Sequence, residues 1–144
     1  MVAKSAEAQL RKAVLAALKA ARLPVNEDVR FFPRIEVTEV TESGTIDKGD
    51  DVRELGFVVE AISMQRYETA AGFCDTAEMT LVGQGTITMR DFVCLDIYKE
   101  LGTEIMEVGD ADILCIRRRT QYRANITQKA TPSGSGSGNG ETTN

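Results

Sequence analysis

The sequence predicts an α+β fold: a mostly antiparallel sheet with an extended β-hairpin and two helices packed on one face. Three observations carry this expectation. An alanine- and leucine-rich stretch near the N-terminus repeats its apolar residues at helical spacing. Three later stretches alternate apolar and polar residues as strands do. A second segment of helical spacing lies between them.

The first helix is expected over about residues 6 to 22. Leu10, Ala13, Val14, Ala17, Leu18 and Ala21 share one face, Ser5 suits the N-cap, and Pro24 follows the end. After a linker with Pro24 and Pro33, Ile35 to Thr41 is rich in β-branched residues. From Val52 to Ile62, Leu55, Phe57, Val59 and Ala61 fall on one strand face. The polar stretch "ESGTIDKGDD" between them predicts two long antiparallel strands joined by an extended hairpin with a charged, exposed tip. In "YETAAGFCDTAEMTLVG" the apolar face of the second helix is Ala70, Phe73, Cys74, Ala77 and Leu81, with Gly83 at its stop.

Residues 88–102 fit two descriptions. Val93, Leu95 and Ile97 alternate as in a strand over about 92 to 98. Thr88 with Asp91 resembles a capping box, and Gly102 suits a helix end. The strand is the preferred reading, followed by a short strand at "TEIMEV", a turn at "GDAD" and a long last strand in "ILCIRRRTQYRANI". In that last strand Leu114, Ile116, Arg118, Thr120, Tyr122 and Ala124 share one face, and Cys115, Arg117, Arg119, Gln121 and Arg123 the other. If the first of these faces packs on the core, Arg118 must snorkel, pair with a carboxylate or sit where packing ends. One domain is expected over residues 1–130. Residues 131–144, "TPSGSGSGNGETTN", read as a flexible Gly/Ser-rich tail.

Composition narrows the chemistry. The 144-residue chain has a formal net charge of −5 and no histidine. It therefore lacks the commonest general base and metal ligand, and no Ser-His-Asp or Cys-His site can be built. Cys74, Cys94 and Cys115 are widely spaced in apolar runs and read as reduced core thiols; no CxxC pair suggests zinc. The glycines of "GQG" at 83–85 lack the spacing of a phosphate loop, and "DKGDD" does not follow the EF-hand pattern. Glu54 and Glu60 lie on one strand face about 20 Å apart, too far to act as an acid–base pair. No enzyme activity and no cofactor are expected. The N-terminus has no apolar run of signal-peptide length, and no run approaches a membrane span.

Four of the seven residues from Arg117 to Arg123 are arginine. Three readings stand: cross-strand ion pairs with Glu54, Glu60 or other acidic strand positions, a subunit interface, or contact with nucleic acid. The acidic chain and the lone Tyr122 beside the arginines weigh against the last.

The element order resembles a phage family. The alanine-rich helix leads to an extended hairpin, "RELGFVVEAISM" runs into "RYETAAGFCDTAEMTL", and a long strand bearing "RRRTQYRANI" closes the chain. Over about residues 5 to 128 this is similar to the tail terminator (tail completion) proteins of long-tailed bacteriophages and the related minor tail proteins. The resemblance implies a virion protein, made in the host cytoplasm, that forms a homo-oligomeric ring, usually hexameric, on the head-proximal end of the tail tube. The ring ends tube polymerisation and docks the neck or connector, without a cofactor. Its partners would be the tail tube protein and the neck protein, with non-specific contact to passing DNA and none to membrane. The implied subunit contacts are Asp47, Lys48, Asp50 and Asp51 at the hairpin tip, with Arg117, Arg119 and Arg123 as counter-charges or lumen-facing groups. Reversing Arg117 and Arg119 to glutamate is then expected to leave the monomer folded and abolish assembly. A head–tail connector stopper and a non-viral small-molecule-binding α+β domain remain the alternatives.

Overall fold

The computed structural model describes residues 5–26, 33–47, 52–64, 67–108 and 114–129. Helix α1 spans Ala6–Ala20, strand β1 Arg34–Asp47, β2 Val52–Met64, helix α2 Tyr67–Leu81, β3 Phe92–Val108 and β4 Leu114–Gln128. The strands form one antiparallel sheet in the order β1-β2-β4-β3, so the last strand inserts between the hairpin and β3. Both helices pack on the same face, giving the expected two-layer α+β fold.

Each helix is defined by its own residues. The Ser5 hydroxyl accepts from the Ala8 N–H at 3.1 Å, closing the N-terminus of α1 as its side chain predicts. Leu10, Val14 and Leu18, one to two turns apart, are fully buried. At the other end Arg22 adopts φ 65°, and the Leu23 N–H reaches back to the Leu18 carbonyl at 3.1 Å. That is a six-residue C-terminal capping loop, with the buried Leu23 packing beneath it. In α2 the core face is Ala70, Cys74, Ala77 and Leu81; Gly83 ends the helix at φ 128°, a backbone state that favours glycine.

The sheet contributes Ile35, Val37, Leu55, Phe57, Val59 and Ala61 to the core, and from β4 Ile116, Tyr122, Ala124 and Ile126. Phe57 and Tyr122 stack across the β2–β4 pair with centroids 5.3 Å apart. Burying each such side chain contributes about 1.5–3 kcal/mol.

Three local expectations change. β1 runs through the polar "ESGTID" stretch to Asp47, because hairpin pairing continues past three register shifts. The two strands expected between 92 and 108 are one strand of 17 residues, and Gly102 lies inside it opposite Thr120. Its inward face is also different: Phe92, Cys94 and Ile97 are buried, while Val93 and Leu95 are exposed. A bulge between Cys94 and Asp96 changes the alternation there, which a strict two-residue period cannot anticipate. Asp91 is not a helix capping residue. Gln9 of α1 clamps it from both sides, its Nε2 donating to Asp91 Oδ2 at 2.7 Å and its Oε1 accepting from the Asp91 N–H at 2.9 Å. The Gly/Ser tail from residue 131 lies outside the described residues. Among the described residues no helix is long and apolar enough to cross a membrane.

The Tyr122 hydroxyl is buried without a hydrogen-bond partner among the described residues, and burial pushes its pKa up. An unsatisfied buried hydroxyl is destabilising. Tyr122→Phe, which keeps the ring stack, should therefore unfold at the same or higher denaturant concentration, with a gain of up to about 1 kcal/mol in equilibrium urea denaturation.

Candidate functional site

The feature with the most organised chemistry is the sheet face turned away from the helices. It is built by strand alternation: odd-numbered residues of β4 point there, even-numbered ones into the core. Cys115, Arg117, Arg119, Gln121 and Arg123 thus share this face as expected.

At its centre is Glu60 on β2, only 4% exposed. It lies directly opposite Arg119 on β4 and opposite Glu36 on β1. Two facing glutamates repel each other, so each needs its own cation. Arg117 Nη1 donates to Glu60 Oε1, and Arg119 Nη1 lies 3.4 Å from Glu60 Oε2. Glu36 takes the buried Arg34 Nε at 2.6 Å. Arg119 also bonds Glu39 through its Nη2. Glu39 reaches it from a bulge in β1, where its φ is 52°, a left-handed state uncommon for a residue with a side chain.

A second group sits further along the sheet. Arg123 faces Gly56, whose missing side chain leaves a depression of about 190 Å³ lined by Glu39, Thr41, Glu100, Gln121 and Arg123. Arg123 reaches Glu54 at 3.3 Å on one side and Glu100 at 3.1 Å on the other. The hydrogen bond to Glu100, ahead of other causes, raises its pKa. The Tyr98 hydroxyl crosses from β3 to donate to Glu54 at 2.8 Å, which holds its proton above the usual phenol range. Asn125 Nδ2 donates to Asp96 Oδ1 at 2.8 Å.

The cross-strand pairing weighed for the arginines, with Glu54 and Glu60, is therefore present within one chain. Glu36, Glu39, Glu100, Tyr98 and Asp96, none of them singled out by residue from the sequence, join it, and Glu39 and Glu100 are placed by bulges. Arg118, alone of the run, points to the helix side. It is 28% exposed and 3.9 Å from Glu104, at the margin of the core, as its sequence position required. Asp47 ends β1 opposite Val52; Lys48, Asp50 and Asp51 lie outside the described residues. Because Glu60 already sits among Glu36 and Glu39, reversing Arg117 and Arg119 would surround it with like charge. The structure thus makes that double reversal a test of monomer stability as well as of assembly.

The depression over Gly56 is smaller than the roughly 300–1,000 Å³ typical of ligand sites. Among the described residues no group of three or more His, Cys, Asp or Glu side chains could hold a metal. The three cysteines are buried and unpaired, and burial, reinforced by Asp96, pushes the Cys94 thiol up to about 11.

What these residues define is a class: a two-layer α+β domain whose free sheet face is locked by intrachain ion pairs. In fold, the chain is similar to a chain in the solved structure "Virion of native gene transfer agent (GTA) particle", with TM-score 0.65 and 16% sequence identity, covering 88% of this chain and 100% of that one. No family model matches the chain, and no curated protein matches it in sequence.

Two measurements check this description. Glu60→Ala should destabilise by about 2–3 kcal/mol, because it strands two partly buried arginines, whereas Glu39→Gly should stay within about 1 kcal/mol of neutral, trading an exposed ion pair for relief of the left-handed backbone. Thermal and urea denaturation report both. A raised thiol pKa stabilises the fold fully below the unfolded value near 9 and loses that contribution as pH climbs through about 11. All three thiols should resist a disulfide reagent at pH 8 in the native state and react at once in denaturant.

Proposed function

We propose that this chain is a structural subunit of a phage-like virion, and within that class a tail terminator. On this reading it forms a ring on the head-proximal end of the tail tube, stops tube growth and presents a docking face to the neck. The carrying observation is the fold shared, over the whole of that chain, with a component of a gene transfer agent virion. The charged sheet face supports it. A surface of ion pairs satisfied within the subunit is rigid and carries both signs of charge, so it suits a wall past which nucleic acid moves without sticking. In this reading Arg117, Arg119 and Arg123 organise that wall, and the acidic hairpin with Asp47, Lys48, Asp50 and Asp51 reaches a neighbouring subunit. The role is non-enzymatic and needs no cofactor.

Negative-stain microscopy of the purified chain with tail tubes tests this. Rings of the tube's width at one end of each tube, and tubes that stop growing when the chain is added, are the expected result. Binding to connector assemblies in place of tubes would make it a connector stopper. Binding to neither would overturn the virion reading.

A further inference from the structure

The three arginines that the sequence offered to the acidic hairpin end are occupied. Arg117, Arg119 and Arg123 are bound within the chain to Glu60, Glu39, Glu54 and Glu100. From residue 46 to 51 the hairpin reads IDKGDD, with three carboxylates, one lysine and Ile46, the one large apolar residue between Val40 and Val52. A surface that fits this end has an apolar floor and exposed cations at its border.

Such a surface lies on the helix side of the molecule. The first turns of α1 and residues 88–90 enclose a cleft of about 330 Å³. Ala8, Ala13 and Ala16 of α1 are too small to fill it, and Met89, only 3% exposed, lies opposite them as its floor. Each wall carries one exposed cation, Lys12 on α1 and Arg90 on the facing segment, and no carboxylate lines the cleft among the described residues. Arg90 meets Asp91 through its Nε at 3.3 Å while 84% of its side chain stays exposed. Gln9, which also lines the cleft, grips Asp91 at 2.7 and 2.9 Å, and the Lys129 N–H donates to the Asp91 carbonyl at 2.9 Å. The two walls are thus tied together at their base, and the cleft is formed before any partner arrives.

The sheet places the hairpin end and the cleft at one end of the molecule, on opposite borders. β1 ends at Asp47 opposite Val52, and the next residue of β2, Arg53, faces Ile126, which faces Cys94 near the start of β3. β2 and β4 stand between, so the two borders are about 14 Å apart, three strand spacings of about 4.8 Å. Copies set side by side in one orientation bring the hairpin end of one to the cleft of the next.

We propose that the hairpin end of one copy, with Asp47, Asp50 and Asp51, docks in the cleft between α1 and residues 88–90 of a second copy. Ile46 packs toward Met89 and the alanines, and the carboxylates meet Lys12 and Arg90. The two surfaces are different patches of one chain, so the contact is heterologous and repeats from copy to copy until it closes. It rests on the ring reading and names the surface that receives the hairpin.

Light scattering of the full chain at rising concentration, alone and on tail tubes, tests this. Lys12→Glu with Arg90→Glu, and separately Asp47→Lys with Asp50→Lys, should each weaken association roughly tenfold or more. A chain carrying all four changes should recover it, because its hairpin is basic and its cleft acidic. Ala16→Trp, which fills the cleft without changing charge, should weaken association as well. Lys12, Ala16 and Arg90 are exposed, so thermal melts of these variants should match the parent. If the parent associates and the variants associate equally well, or the four-change chain fails to recover, the assignment of the cleft is overturned and the ring reading stands. If the parent stays monomeric both free and on tubes, both are overturned.

Discussion

The constraint on which the sheet depends is the carboxylate of Glu60, buried on β2 between β1, which sets Glu36 opposite it, and β4, which supplies both of its cations. An isolated charge in that position would be costly by several kcal/mol. Arg119 lies straight across and Arg117 diagonally, so the ion pairs exist in only one register of β4 against β2. A slip of one residue would turn Arg117, Arg119 and Arg123 into the core and expel Ile116, Tyr122 and Ala124. The ion pairs and the Phe57–Tyr122 stack thus enforce the same alignment from opposite faces of one strand pair. The net energy of the pairs is modest, and their main effect is to exclude the wrong alignment.

The outer strands complete this network by departing from regularity. A bulge in β1 carries Glu39 to Arg119, with a left-handed backbone as its cost, and a register shift at Lys99–Leu101 in β3 lies beside Glu100, the partner of Arg123. Bulges also twist an outer strand away from flat pairing. Beneath the sheet, Gln9 holds Asp91 at the entry to β3, so α1 helps to set where that strand begins.

The molecule then presents surfaces of distinct character. The free sheet face is charged and internally satisfied. Toward its β3 edge that same face is apolar, with Val93, Tyr98 and Leu101 exposed opposite Thr127, Arg123 and Gln121, while the outer face of α1 carries Lys12 and Lys19.

The sequence by itself determined the two helices, the hairpin and the alternation of β4, and it offered ion pairing with glutamates as one of three readings of the arginines. Those follow from short-range periodicity: Leu10, Val14 and Leu18 recur at helical spacing, and Leu55 to Ala61 and Ile116 to Tyr122 alternate without interruption. Only the tertiary structure decided the rest. That β3 is one strand, that Val93 and Leu95 face outward, and that Glu39 and Glu100 join the arginines all depend on bulges. A bulge arises where one strand must fit the twist and length of its partner, a constraint absent from any single segment. The position of β4 between β2 and β3 is likewise a pairing between segments far apart in the chain, settled by which strand faces match in burial and charge.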